Sequence, residues 1–360
     1  MPTVRVLAGA TALAFLAGPY RDLYLQDAQA TVFQDPAWLG AWAEQLPPAA
    51  VPLLLVAEDR LGQGAAALAL VHDATGPRER VYPLSAPMAD YVRVTGPHAD
   101  SAPIAASLVV ALRRFAGDHI DIAMSDVPAA CALGRTLTEA AGRQGWLHTT
   151  GHCAAIDLPV DYAAMSASTR RSHRRRQRHW DRLAESRSVV YCRTRTTAEL
   201  LDTYSVLADL HERRWAGASP PPHAAHPGLA DSWRPVLGRC GAGMFSIATL
   251  SVDGTVVATQ LCVMRRATCY SLVPAMDPEF QALAPGHALL RLLTRDLYDQ
   301  RFRVLDLGRT VEGQRYKHQY LPRWMSTVSV GCVPTSPLDR SIRRSEALRT
   351  VASTVPGPPC

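Results

Sequence analysis

Cys269-Tyr270-Ser271-Leu272-Val273-Pro274, then Ala282-Leu283-Ala284-Pro285-Gly286-His287-Ala288-Leu289-Leu290, then Arg303-Val304-Leu305-Asp306-Leu307-Gly308: these three stretches decide the fold. The first and third are short apolar runs of strand length. The second is a Pro-Gly start signal that opens a helix running from Pro285 to Gln300. Strand, helix and strand in that order predict an α/β architecture. Gly286 and Ala288 put small residues at the helix start, where exposed backbone N–H groups favour phosphate. A Pro-Gly pair is also an ordinary way to begin a helix.

Upstream, Met244–Val252 and Val256–Met264 flank Asp253-Gly254, a hairpin signal. Thr197–Ala216 is a long helix with Leu200, Leu201, Tyr204, Leu207 and Leu210 on its apolar face. A Pro- and His-containing loop, Gly217–Leu229, separates it from a short helix, Trp233–Arg239. Its two histidines, His223 and His226, are read as non-ligands. Val189–Arg195 is a strand, and Ser168–Ser186 is a helix with Ser166 or Ser168 as its cap. Ser326–Val333 is the last strand. The residues after Pro334 have little apolar periodicity and predict a disordered tail.

The first half follows a similar plan. A strand at Thr3–Leu7 precedes a helix from Ala10 through Tyr24, and a second helix spans Pro36–Leu46. Val51–Glu58 and Ala65–His72 flank Asp59-Arg60-Leu61-Gly62, a second hairpin signal. Helices at Pro103–Ala116 and Ala129–Gln144 alternate with strands at Ile120–Met124 and Leu147–Leu158. The expectation is a duplicated α/β unit, with domains at 1–160 and 161–334 and a tail at 335–360.

The 360 residues are 48% apolar and 19% charged, which excludes wholesale disorder. No apolar run reaches 18 residues, so no membrane span is expected. Arg5 followed by the apolar run Leu7–Gly18 has the outline of a short signal peptide. The helical pattern continues through Tyr20, Leu23 and Leu25, which favours a cytoplasmic chain instead. Eight cysteines form no CxxC pair, so the expectation is reduced thiols and no metal.

The formal net charge is +6. Met165–Arg187 alone holds eight arginines against Asp181 and Glu185, so the whole excess sits in this segment. Such a patch attracts phosphates or RNA, or is simply a solvated face. The chain has 37 arginines and one lysine, Lys317. Asp306 interrupts an apolar strand, where an acid is costly unless partnered. It is therefore either an ion-pair partner or a site residue.

Asp306-Leu307-Gly308 followed by Tyr316-Lys317, after Tyr270 and Pro285-Gly286-His287-Ala288-Leu289-Leu290, resembles the GNAT-fold acyltransferases of the CelD/BcsL branch. That branch is associated with cellulose biosynthesis and related to the FemAB-like aminoacyl transferases. Ser168–Arg178, Leu210-His211-Glu212-Arg213-Arg214-Trp215, Asp253-Gly254 with Val257-Ala258, and Asp90-Tyr91 add to the likeness. It covers roughly residues 5–333.

The resemblance implies tandem GNAT-like domains, each a mixed sheet flanked by helices, and acyl transfer to an amine or hydroxyl. The acceptor would be a small molecule or a saccharide. The loop before the central helix would hold acyl-CoA through Pro285, Gly286, His287 and Ala288, with Arg174 and Arg175 on its phosphates. The family's loop carries Arg or Gln where this chain has Leu283. That departure keeps an acyl carrier protein thioester or an aminoacyl-tRNA open as donor. Asp306 and His211 are candidates to accept the amine's proton or orient it, and Tyr270 and Tyr316 to protonate the leaving thiolate. Lys317 would contact a donor phosphate or a substrate carboxylate; otherwise it is an ordinary surface lysine. A non-catalytic scaffold in a biosynthetic pathway is the remaining expectation. No GxSxG elbow is present, so a serine nucleophile is not expected.

Overall fold

The computed structural model describes residues 2–59, 61–86, 88–141, 146–215, 229–310 and 315–332. The loop at 217–228 with its two histidines, Glu312 and the expected tail lie outside the described residues. The described residues pack as two units, one of residues 2–152 and 325–332, the other of residues 153–324.

The first unit contains β1 (Val4–Ala8), α1 (Ala10–Ala17), α2 (Pro19–Gln26), α3 (Pro36–Ala43), β2 (Ala50–Glu58), β3 (Gly64–Asp73), β4 (Arg80–Pro83), α4 (Ala102–Ala116), β5 (Asp121–Pro128), α5 (Ala132–Ala141) and the start of β6 (Trp146–Asp157). β1, β2, β3 and β4 pair antiparallel in sequence order, and β5 then runs parallel to β4. The β2–β3 turn is closed by Asp59, whose Oδ1 accepts from Leu61 N at 2.8 Å and Gln63 N at 2.9 Å. The single helix expected over Ala10–Tyr24 is two helices. Pro19 has no N–H to continue a ladder, so it starts α2 instead of extending α1. β4 has only four residues and carries too little periodicity to be read in advance.

The second unit contains α6 (Ala167–Ser186), β7 (Val189–Arg193), α7 (Thr197–Trp215), α8 (Leu229–Cys240), β8 (Phe245–Val252), β9 (Thr255–Arg265), β10 (Thr268–Met276), α9 (Pro285–Asp299), β11 (Val304–Thr310) and the start of β12 (Arg323–Cys332). β7, β8, β9 and β10 pair antiparallel, and β11 runs parallel to β10. The two units thus share one plan: four antiparallel strands, a crossover helix, and a fifth strand parallel to the fourth. Asp253 (φ 49°) and Gly254 (φ 82°) both adopt positive φ, as the two-residue turn between β8 and β9 requires.

The sixth strand of each unit comes from the other half of the sequence. Cys153–Asp157 of β6 lies beside β11 in the second unit. β12 pairs antiparallel with β5 in the first, with Val330 opposite Met124 and Gly331 opposite Ala123. The sequence-based boundary at 160 keeps both strands with their sequence neighbours. Periodicity reports that a segment is a strand, not which sheet it joins.

In the second unit, α9 buries Leu289, Leu290, Leu293 and Leu297 on Ala248, Leu250, Ala258, Leu305 and Leu307. Each such leucine contributes about 1.5–3 kcal/mol. α7 contributes nothing to this cluster and packs on β8, β9 and β10 from the other face. α6 is capped by Ser166, whose Oγ accepts from Thr169 N at 3.2 Å. Its Trp180 is buried against the α9 cluster and donates from Nε1 to Leu283 O at 2.9 Å. The Leu283 side chain is half-buried against the same cluster, which accounts for an apolar residue at that position. In the first unit, Leu53, Leu55, Leu68 and Leu70 of the hairpin pack under Leu108 and Leu112 of α4 and Leu133 and Leu137 of α5.

Candidate active site

β10 and β11 pair through only three positions: Thr268 with Val304, Cys269 with Leu305 and Tyr270 with Asp306. Beyond Tyr270 the two strands part. β10 carries an irregularity against β9 between Ser271 and Val273, which turns it away. The fork leaves a cavity of about 220 Å³. Its walls are Ser271, Pro274 and Ala275 of β10, Leu307 of β11, and Thr259 and Gln260 of β9. α9 adds Gly286, His287, Leu289 and Leu290. Arg214, from the end of α7, and Tyr316 line it too.

The N-terminus of α9 closes the cavity. Ala284 caps the helix in the left-handed region (φ 50°, ψ 56°), which costs an alanine about 1 kcal/mol. His287 N and Ala288 N both bond to Ala284 O, at 3.1 and 3.4 Å, and Pro285 has no N–H. Gly286 N–H is left as the donor not spent within the helix. A Cβ built on Gly286 meets nothing within 4 Å, so this glycine borders open space. An N–H at a helix start with room in front of it suits an anion.

His287 sits in an aromatic nest. Its Nδ1 is 2.9 Å from Tyr320 Oη, and the two rings stack at 5.9 Å with a 19° interplanar angle. His173 of α6 lies edge-on to both, at 6.4 Å from His287 and 5.1 Å from Tyr320. Burial, with Arg176 and His173 nearby, lowers the His287 pKa to about 4. His287 is therefore neutral at physiological pH. Burial raises Tyr320, which stays a phenol. When that phenol donates to Nδ1, the remaining ring nitrogen, Nε2, carries the proton.

This nest gives a pH dependence. A histidine whose pKa is about 6.5 unfolded and about 4 folded binds its proton more tightly in the unfolded chain. Stability is then lost as pH falls from 6.5 towards 4. The His173 pKa is also lowered, mainly by burial, and acts in the same direction. For His287 alone the loss between pH 7.5 and pH 5 is up to about 2 kcal/mol. Urea unfolding at these two pH values measures it. His287→Gln is expected to shrink the drop, and an equal drop in both proteins would refute the assignment.

The structure separates the residues singled out from the sequence. Gly286, His287 and Tyr316 line the cavity. Pro285 and Ala288 are buried in the helix start behind it. Tyr270 and Asp306 form the last paired rung at the apex of the fork. Asp306 is buried and its Oδ1 accepts from Gly308 N at 2.7 Å. Lys317 is 1% exposed, and its Nζ donates to Leu307 O at 2.7 Å, Gly308 O at 3.3 Å and Arg309 O at 2.6 Å. Asp306 and Lys317 thus both grip the bend at Gly308 (φ 66°), where β11 leaves its partner. His211 is buried with its ring 6.5 Å from Trp215, and it is Arg214 that reaches the cavity. Arg174 lines a different cleft, and Arg175 is exposed and lines neither.

Sequence reasoning missed Arg214, Thr259, Gln260, Ser271 and Tyr320. Thr259-Gln260 is a polar pair inside the apolar run Val256–Met264, and that was the available signal. Thr259 Oγ1 is buried with no hydrogen-bond partner among the described residues, and its residue lines the cavity. A buried hydroxyl without a partner is costly, and a ligand in the cavity would relieve it. Among the described residues no three His, Cys, Asp or Glu side chains are placed to hold a metal ion. Among them, too, no helix is long and apolar enough to cross a membrane.

Residues 167–318 match the acetyltransferase (GNAT) domain family. No curated protein matches the chain. Solved structures do. FemX is 11% identical with a TM-score of 0.60, over 90% of this chain and 98% of that one. L-PGS from Bacillus licheniformis is 12% identical with a TM-score of 0.54, over 94% and 96%. A tandem GNAT protein from the clavulanic acid biosynthesis pathway is 14% identical with a TM-score of 0.54, over 93% and 100%. At these identities the likeness is one of fold. The chain has the tandem GNAT architecture, and its second unit carries the acetyltransferase-type domain.

Proposed function

We propose that this protein is an acyltransferase that moves an acyl group from acyl-CoA, or a carrier-protein thioester, to an amine or hydroxyl. The carrying observation is the fork: a cavity opens where β10 and β11 part, and the open start of α9 sits at its edge. The donor's pyrophosphate would lie at Gly286 N–H. Its pantetheine arm would enter between the strands, with the acyl group against Ala275, Leu289, Leu290 and Leu307.

The chemistry needs placement more than covalent help. A neutral amine attacks the thioester carbonyl; a C–N bond forms and the C–S bond breaks. The thiolate takes a proton from a phenol, and the proton that the nitrogen loses passes through water to the phenolate left behind, so the transfer balances. Tyr316, which lines the cavity, is the acid for the sulfur. His287, neutral and braced by Tyr320, presents Nε2–H to the carbonyl oxygen as negative charge develops there. Asp306 and Lys317 position the wall from behind. The CelD/BcsL resemblance makes a saccharide a reasonable acceptor.

Titration calorimetry with a series from acetyl-CoA to palmitoyl-CoA tests this. Micromolar binding of at least one member is expected, and no binding of any would overturn the proposal. The basic α6 favours a second reading, in which the donor is an aminoacyl-tRNA. Product formation that survives RNase treatment excludes it.

A further inference from the structure

A second cleft, of about 520 Å³, lies between α6 and α9 on the flank of the second unit. That is the size of a small-molecule site. Arg170 and Arg174 line it from α6, and Arg291 and Arg295 from α9. Each pair is spaced four residues apart, so each presents two guanidinium groups on one helix face. No aspartate or glutamate lines the cleft. Arg174 and Arg291 have no carboxylate within 4.0 Å among the described residues. Arg295 has one, Asp299, at 4.0 Å on the exposed side. Arg170 is held in place by the carbonyls of Ala163 and Met165. Four like charges converging on one concavity repel one another, and packing alone gives no reason to gather them there. The rest of the lining suits a flat, partly apolar molecule, with Tyr162 and Tyr298 rings, Leu292, and Gln177 as a neutral donor.

We infer that this cleft binds the phosphate-bearing part of a nucleotide, with the base against a tyrosine ring. Arginines offer planar, forked donors that match phosphate oxygens. An RNA strand instead follows an open basic track. Of the other arginines of α6, Arg171, Arg175, Arg178 and Arg182 are exposed and stand outside the cleft, and the half-buried Arg176 is spent on Gln319 Oε1 at 2.7 Å. The four arginines that share the cleft, Arg170 and Arg291 half-buried and Arg174 and Arg295 exposed at its rim, fit a compact ligand with one or two phosphates. The inference stands apart from the acyl-donor cavity, which lies at the fork. The nucleotide could belong to a separate nucleotide-linked substrate or to the donor's own nucleotide end.

The test is calorimetry of the full chain with ADP at low salt. Binding is expected. Arg174→Gln with Arg291→Gln should weaken it at least tenfold, and Arg178→Gln with Arg182→Gln less than twofold. Circular dichroism confirms that both variants fold. No ADP binding, or equal weakening by the two pairs, overturns the inference. So does RNA binding that is tighter than ADP binding and equally sensitive to both pairs. Saturating acyl-CoA separates the two sources: ADP is displaced if the donor's nucleotide fills the cleft and retained if a separate substrate does. Binding of a phosphate-free acyl-pantetheine reads the fork cavity alone, so failure there leaves the cleft result standing.

Discussion

Lys317→Met is expected to cost the protein about 3 kcal/mol or more of folding stability, the sum over buried carbonyls that each lose a donor. The Lys317 nitrogen donates to three carbonyls in a row, those of Leu307, Gly308 and Arg309. Methionine fills the space but leaves these oxygens buried without that donor, at about 1–3 kcal/mol for each unsatisfied group. Lys317→Arg keeps the charge and still fails. An ammonium sends three protons from one atom towards three converging oxygens, whereas a guanidinium spreads its donors across a plane. The site is 1% exposed, so the larger head has to displace packed neighbours. Overpacking of this kind costs about 1–3 kcal/mol. Denaturant midpoints of the three proteins measure both effects. If Lys317→Arg unfolds with the wild type yet loses acyl-CoA binding, the lysine serves a ligand and not the bend. This geometry also explains why one lysine persists in a chain that otherwise uses arginine: at 317 the two are not equivalent.

Local elements were legible because their signals are local. Asp253-Gly254 announces its hairpin, Pro285-Gly286 announces α9, and of the two serines offered as the cap of α6 it is Ser166 that caps it. What depends on register or on distant partners was not. β12 reads as a strand, but nothing in its ten residues says that it pairs with β5, some two hundred residues earlier. The Tyr-Lys and Asp-Leu-Gly motifs were found, and Tyr316 does reach the cavity. Their charged members face the backbone of β11 instead, because the bend at Gly308 brings three carbonyls to the lysine. His211 is a candidate from sequence as a proton acceptor, and Arg214 carries no signal of its own there. The helical turn decides otherwise, by burying 211 and presenting 214. The seven arginines of α6 looked like one patch, yet only where α9 adds Arg291 and Arg295 do two of them become a cleft.

Gly286→Glu should separate stability from function more sharply than any other change at the fork. The position lies in the first turn of α9, its φ is not in the left-handed region, and an added Cβ meets no atom within 4 Å. A side chain there strains nothing. Glutamate is a better helix former than glycine by roughly 0.5 kcal/mol or more. An acid in the first turn gains a further 0.3–1 kcal/mol or so from the helix dipole. The variant should therefore unfold at an equal or higher denaturant concentration. The same side chain enters the space in front of the spare N–H and puts a carboxylate where the donor's pyrophosphate is proposed to sit. Acyl-CoA affinity should fall about 100-fold or more, which is about 2.7 kcal/mol. Gly286→Ala is the control: it adds only a methyl group, and a loss of no more than a few-fold is expected. Full acyl-CoA affinity in a stable Gly286→Glu protein would mean that the donor does not approach the start of α9. The fork would then need another occupant, because loss of the fold could not account for that result.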